Sequence, residues 1–493
     1  MIFLRRLQAW LVFVFFLFAI SAGAQTTNEA VARADASMAA GEARADADPT
    51  HPIFHITSPS EWMNDPNGPI YYHRVYHVFY QLGPFSDAGG PRYWGHVRSR
   101  DLVKWERLPV ALWPSTEKGE AEVWSGCCTT NGQGEPMAFY TSIATGTSAG
   151  DHAEQWAAIG DKNLITWKKP PENPVLSETL HGGKKIYDWR DPFIFHDQGR
   201  AFLVTGGNLN HAQGGQATVN IYEAQNADLT RWKYRGVLFQ HPDPQVRTAE
   251  CPNFFKVGNE WMLVMSPYGR VQYFLGDFDL ATCRFQARTN GFLDYGPNFY
   301  APNTMQVPDG RRILWGWVTG WPNGRGWNGC LSLPRLLTVH DGTLHQNPAP
   351  QLEKLRGKMV EWRNMRLDQT NQPLKLPPTN TLEILADIDL RKAESVDLEI
   401  RRGQEGGSPI AIHFDGSKLK VMDANAPLSA GKNGQLNLRI FIDHAVLEVF
   451  ANQTIAFTKV MPPLDDDSTL EVSAAGGKAE ARRIQAWPMK TIW

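Results

Sequence analysis

The chain reads as an all-β protein in two domains, a five-bladed β-propeller followed by a C-terminal β-sandwich, on three grounds. From about His51 onward, short apolar and aromatic runs alternate with clusters of Gly, Pro, Asn and Asp. That is the texture of short strands joined by turns, without long amphipathic helices. A signature of an acidic or amide residue, Leu, two variable residues and Trp recurs at Asp101-Leu102-Val103-Lys104-Trp105, Asn163-Leu164-Ile165-Thr166-Trp167 and Asp228-Leu229-Thr230-Arg231-Trp232, with a degenerate copy from Asp279-Leu280. A spacing of about 60 residues suits a four-stranded propeller blade with generous loops, and roughly 300 residues hold five of them. Beyond Leu352 the composition shifts, and a final stretch of about 140 residues made of short alternating runs suits a sandwich.

Taken in order, residues 1–24 read as a signal peptide: Arg5 and Arg6 give a positive start, Trp10 to Ile20 is apolar but too short to span a bilayer, and Ala22-Gly23-Ala24 fits a cleavage site. The expected mature protein begins near Gln25 and is exported to the periplasm or the medium, free of the membrane after cleavage. Residues 25–50, rich in Ala, Asp, Thr and Gly with no sustained apolar period, read as a disordered leader. Residues 51–354 form the expected propeller, with strands at Tyr71 to Tyr80, Pro136 to Ile143, Ala201 to Thr205, Trp261 to Met265 and Arg312 to Val318. Residues 355–493 form the expected sandwich. They begin with a charged, then Pro- and Asn-rich passage and continue with strands at Leu382 to Leu390, Val396 to Ile400 and Leu436 to Ile442. Ile440 to Phe450 reads as two strands joined at Asp443-His444.

Composition narrows the function. A net charge of -2 among 493 residues, with no basic stripe, argues against a nucleic-acid partner. The five cysteines have no metal-ligand spacing, and adjacent Cys127 and Cys128 would face opposite sides of a strand. Neither a metal nor another cofactor is expected. The 18 tryptophans supply flat apolar faces, for the core and for stacking on sugar rings.

Three stretches place a carboxylate beside or near a proline: Trp62-Met63-Asn64-Asp65-Pro66-Asn67-Gly68, Arg190-Asp191-Pro192 and Glu250-Cys251-Pro252. Alone, the first is also a good β-turn. The blade signature gives it phase, because Asp65 and Asp191 precede their markers by nearly the same distance, Trp124-Ser125 by a similar one and Glu250 by a shorter one. Residues at one phase occupy equivalent strands, and if those are innermost, their side chains converge on the central funnel. Two carboxyl groups can cleave a glycosidic bond, and a third beside an arginine can hold sugar hydroxyls.

With these motifs the chain resembles glycoside hydrolase family 32, the β-fructosidases that include invertases, inulinases and levanases. The resemblance runs from Trp62 almost to the C-terminus through the three stretches above. It also takes in Trp94-Gly95-His96, Trp124-Ser125-Gly126, Leu314-Trp315-Gly316-Trp317, Trp327 through Arg335, Phe441-Ile442-Asp443 and Glu448-Val449-Phe450. It implies a retaining mechanism on sucrose or a fructan such as levan or inulin. Asp65 would be the nucleophile, Glu250 the acid and base, and Asp191 the group that steadies the fructosyl transition state. Trp62, Asn64, Gln81, Trp94, Trp124, Ser125 and Arg190 would bind one terminal fructose. Retention further implies carboxyls at 65 and 250 about 5–5.5 Å apart. The chain departs from the family pattern at Gln81-Leu82-Gly83-Pro84, Cys127-Cys128 and Asn253, which bears on substrate preference. A transfructosylase on the same scaffold and a non-catalytic fructan-binding protein stand as alternatives. Gly146-Thr147-Ser148-Ala149-Gly150 matches a serine-hydrolase elbow in letters, but the chain lacks the strand-to-helix context such an elbow needs.

Overall fold

A computed structural model describes residues 28–147, 152–210, 214–368, 373–401, 408–431, 434–464 and 467–493. Residues 1–24, read above as a signal peptide, and the last three residues of the Gly146–Gly150 stretch lie outside the described residues. Five antiparallel sheets follow one another along the propeller region, with inner strands Glu61–Tyr72, Glu120–Thr130, Tyr187–Asp197, Glu250–Val257 and Phe299–Gln306. Each inner strand neighbours the next, and the first neighbours the last, so the sheets stand in a ring. The short strand Trp327–Asn328, from the segment that builds the fifth sheet, adds in parallel to Glu61 and Trp62 of the first and helps close the circle. Closure leaves little free sheet edge.

The recurring signature is the turn into the outer strand. Leu102, Leu164 and Leu229 are buried there with φ of 63, 59 and 56°. In the second and third blades the tryptophan Nε1 donates back to the leucine carbonyl, Trp167 to Leu164 at 3.1 Å and Trp232 to Leu229 at 2.9 Å. The local carboxylate or amide side chain accepts from turn amides, as Asp101 does from Val103 and Lys104 at 3.0 and 2.9 Å.

A second repeat lies in the inner strands. In every blade the pairing with the second strand skips two residues: Asn64-Asp65, Trp124-Ser125, Asp191-Pro192, Cys251-Pro252 and Ala301-Pro302. Each skip sets two residues against one, a β-bulge that bends the strand and redirects its side chains. Proline is tolerated there because its ladder donor is not needed. Asp191, Cys251 and Ala301 hold φ of 62, 46 and 45°, the left-handed region that costs a non-glycine residue about 1–2 kcal/mol.

Two sequence readings need correction. Residues 25–50 do not form a disordered leader throughout, because Glu29–Asp46 is a helix. Asn28 caps it through Ala30 N at 2.9 Å, and Val31, Ala34, Met38, Gly41 and Ala45 bury one face at helical spacing. The helix docks on the first blade: Ser60 Oγ donates to Met38 O at 2.8 Å, Arg107 pairs with Glu42 at 2.7 Å, and a Cβ on Gly41 would fall 2.5 Å from Ser60 Oγ. Its apolar stripe is mostly alanine and glycine, too small to register as a hydrophobic period. Tyr71 to Tyr80, read as one strand, is instead the end of one strand and most of the next, turning at His73 and Arg74.

The C-terminal region is two six-stranded antiparallel sheets packed over one apolar core. The strand Gln435–Asp443 returns through His444-Ala445 into Val446–Ala451, and this hairpin is the joint with the propeller. Asp443 accepts from the amides of Ile53, Phe54 and His55 at 2.9, 2.8 and 3.0 Å and meets His55 Nδ1 at 2.8 Å. Glu448 meets His55 Nε2 at 3.1 Å, accepts from Leu333 N at 2.6 Å and pairs with Arg335 at 2.7 Å. Arg335 also holds Asp294 at 2.8 Å and Thr458 at 2.7 Å, and all of these groups are buried.

His55 is held protonated. Burial opposes its charge, but the hydrogen bonds and charges of Asp443 and Glu448 prevail and push its pKa up to about 9 from 6.5. Its contribution to stability is therefore complete below pH 6.5 and is lost as pH rises through about 9. Glu448→Gln should lower unfolding stability by about 3 kcal/mol at pH 6 and by less at pH 9.5, since it strands buried cations. Urea denaturation at the two pH values checks this, and an equal loss at both would contradict it.

Candidate active site

The bulges bring three carboxylates into the mouth of the ring. Asp65 occupies the second bulge position of the first blade and Asp191 the first position of the third. Glu250 stands immediately before the bulge of the fourth blade, the place that Arg190 holds in the third and Tyr300 in the fifth. The sequence thus carries Arg190-Asp191-Pro192, Glu250-Cys251-Pro252 and Tyr300-Ala301-Pro302 as one repeated structural position.

Asp65 Oδ2 accepts from Ser125 Oγ at 2.6 Å, and Cys251 Sγ lies 3.5 Å from the same oxygen. Ser125 is itself fixed by Gln81 Nε2 at 2.7 Å. Burial, with Asp191 and Glu250 nearby, pushes the Asp65 pKa up to about 7 against the pull of the Ser125 and Cys251 contacts. Asp191 Oδ2 accepts from Cys251 N at 2.9 Å, and Asp191 N donates to Thr141 Oγ1 at 2.8 Å, which ties three blades together. Burial pushes Asp191 up to about 6, with Arg190 resisting and Glu250 adding to the rise.

Arg190 is the cation at the centre of this group. It is 4% exposed, and its Nη2 donates to Glu250 Oε1 at 2.6 Å and to Tyr268 Oη at 2.8 Å. Nη1 donates to Asp188 at 2.9 Å, and Nε lies 3.8 Å from Asp191. Tyr300 Oη meets the other Glu250 oxygen at 2.6 Å and has a second acceptor in Ser266 O at 3.2 Å. Both Glu250 oxygens are thereby aimed. Asn253, where the family pattern differs, donates to Cys251 O and Pro302 O at 3.1 Å and fastens the fourth blade to the fifth.

Of the expected sugar-binding residues, Asn64, Gln81, Trp124, Ser125 and Arg190 gather on the bulges or beside them. The buried Asn64 side-chain oxygen has no protein partner, as suits an acceptor for a ligand hydroxyl. Trp62 stands at the rim, sandwiched between Arg92, whose Cζ is 4.2 Å from its ring, and Trp317, whose ring is 6.4 Å away edge-on. Trp94 does not line the pocket: it has no exposed surface, and its Nε1 donates to Trp124 O at 2.9 Å from below. It is a support for Trp124, because its strand is the third of its sheet and turns this ring into the core. Tyr300, Tyr268 and Arg92 escaped the sequence reading. Tyr300-Ala301-Pro302 carries the signal that could have revealed the first, being the third X-Pro bulge in step with the other two. A groove of about 500 Å³ runs from Tyr268, Tyr300 and Trp317 to Asp423 and Ala424 of the second domain.

The chain is similar to known proteins over most of its length. Residues 55–348 match the N-terminal domain of glycosyl hydrolases family 32 and residues 351–488 the C-terminal domain. The chain is 30% identical to a levanase of Bacillus subtilis (strain 168), over 90% of this chain and 71% of the levanase. It is 29% identical to a raffinose invertase of Escherichia coli, over 87% and 93% of the two. A β-fructofuranosidase of Bombyx mori superposes with a TM-score of 0.80 at 28% identity, covering 94% of this chain and 99% of the other.

The raised pKa of Asp65 has a cost in stability. Between the free value of 3.8 and about 7 the unfolded chain releases this proton while the folded chain keeps it, so stability falls as pH rises through that window. Asp65→Asn removes the burden and should stabilise the fold by roughly 2–4 kcal/mol at pH 8 and little at pH 4. Denaturant titrations at both pH values check it, and equal stabilities at pH 8 would contradict it.

Proposed function

The chain belongs to glycoside hydrolase family 32, and from that premise we propose that it is an exported β-fructofuranosidase that removes terminal β-fructosyl units from sucrose or a fructan with retention. The observation that carries this reading is the pair of carboxyls at 65 and 250, brought to one ring mouth from the first and fourth blades, the first half-buried and hydrogen-bonded by Ser125 and the second held at both oxygens by Arg190 and Tyr300.

In the first step the ionised Asp65 attacks C2 of the fructosyl unit while Glu250 gives its proton to the departing oxygen. Tyr300 can turn its hydroxyl from Glu250 to Ser266 O while Glu250 holds that proton, since both acceptors are within reach. Asp191, kept beside Arg190, takes sugar hydroxyls and faces the positive charge that develops on the ring. In the second step Glu250 takes a proton from water, which attacks C2 and frees Asp65. Ser125 and Cys251 steady Asp65 as it leaves the sugar and regains its charge.

The names of the relatives bear on the substrate: a levanase and a raffinose invertase are similar in sequence, and a structure of the Bombyx mori enzyme holds sucrose. The groove beyond Tyr268 gives a longer chain somewhere to lie. Export rests on the sequence of residues 1–24. The test is chromatography of products from sucrose, levan and inulin. Free fructose alone from the fructans indicates end-wise attack, a ladder of oligomers indicates internal attack, and glucose in excess of fructose from sucrose indicates transfer. Asp65→Asn should lower kcat by about 10³-fold or more. Because Asp65 must be ionised to attack, kcat/KM should fall as pH drops below about 7. An acid limb near pH 4, or turnover retained in the variant, would contradict these roles.

A further inference from the structure

The inner strands that present the carboxylates at one end of the ring line a second cavity at the other. It measures about 360 Å³ and is bordered by Tyr71, Thr130, His196, Lys256 and Gln306 from the five inner strands, and by Arg312. No Asp or Glu lines it among the described residues. Arg312 begins the second strand of the fifth blade and is 8% exposed, with its guanidinium stacked 4.1 Å above the Phe255 ring. Nη1 donates to Thr304 Oγ1 at 3.0 Å, Nη2 reaches Gln306 Oε1 only at 3.5 Å, and Nε has no partner.

The other deeply buried arginines differ. Arg190 is held among Asp188, Asp191 and Glu250, and Arg335 between Asp294 and Glu448. Arg312 has no carboxylate partner among the described residues, and burial alone pulls its pKa down to about 9, so it is still a cation at neutral pH. A buried guanidinium without a counter-charge is costly. Of the other basic groups at the cavity, Lys256 is already turned to Asp197 at 3.0 Å, and His196 is exposed at the mouth, with partial desolvation lowering its pKa and favouring its neutral form. The unmatched charge therefore belongs to Arg312, whose free N–H groups form the planar fork that suits multi-oxygen anions.

We propose that this cavity is a binding site for a small tetrahedral oxyanion, a free phosphate or the phosphoryl group of a small ester, with Arg312 as its main ligand. The volume accommodates such an anion with several waters. The anion would complete the Arg312 hydrogen bonds from the centre of the ring and brace the five inner strands at the end opposite the carboxylates. The site is separate from the proposed catalysis and does not depend on it.

Thermal unfolding of the full chain in rising inorganic phosphate, against chloride at equal ionic strength, tests the proposal. A saturable rise in Tm is expected for the unmodified protein, and the rise should vanish in Arg312→Met, which keeps the bulk over Phe255 and removes the charge. A second series with glycerol 3-phosphate separates the sources: a response to both means that the phosphoryl group is recognised, and a response to inorganic phosphate alone means that the free ion is. Absence of a saturable response to either, or a full response in Arg312→Met, would overturn the proposal. Should that variant not fold, calorimetric phosphate binding to the unmodified protein and to Arg312→Lys decides. A loss of affinity of about tenfold or more in Arg312→Lys is expected, and equal affinity would overturn the assignment.

Discussion

The whole site depends on one buried guanidinium. Asp65, Asp191 and Glu250 repel one another in a space with little water, and burial adds to the difficulty of charging them. Arg190 touches Glu250, lies close to Asp191 and is anchored outward by Asp188 and Tyr268. Burial pulls against its own charge, yet the surrounding carboxylates hold its pKa above the ordinary arginine range. A single fixed positive charge thus lets three acids share a pocket while keeping them different, with Asp65 pushed towards neutrality and Glu250 held by hydrogen bonds at both oxygens.

Holding charges so close takes a rigid frame, and the ring of bulges supplies it. Each inner strand yields two residues from its ladder at the same height, and contacts such as Asp191 to Cys251 and to Thr141 stitch adjoining blades through those residues. Three left-handed non-glycine residues sit at these points, a local strain that the closed sheet array sustains. The sandwich contributes from outside. Its Asp443–Glu448 hairpin reaches into a buried network with His55 and Arg335, so the second domain clamps the start of the first blade and part of the fifth.

Much of this could be read from the chain. Asp65, Asp191 and Glu250 were legible because each is an acid near a proline in phase with a repeated marker, and phase in a closed array means convergence. The marker itself is legible because its leucine and tryptophan make the same turn each time. Tyr300 was hidden because its Tyr-Ala-Pro has no acid to draw attention, although it fills the structural position of Glu250 one blade on. Trp94 shows the opposite error: a tryptophan in a family motif was expected on the pocket wall, and strand geometry turns it into the core beneath Trp124. The helix at 29–46 escaped because packing against blade one uses alanine and glycine, whose small size allows close approach but erases the apolar contrast. Asp443 and Glu448 could not be assigned to the domain joint, since their partners lie more than a hundred positions away with no shared period.

Trapping of the covalent intermediate tests the paired roles of the two carboxyls most directly. The Glu250→Gln variant, given an activated β-fructosyl fluoride whose leaving group needs no proton, should form the fructosyl ester but release it slowly for want of the base. Denaturing mass spectrometry with peptide mapping should then find one fructosyl unit on the peptide that carries Asp65. An adduct on any other residue, or continued rapid turnover with no adduct at all, would contradict the account.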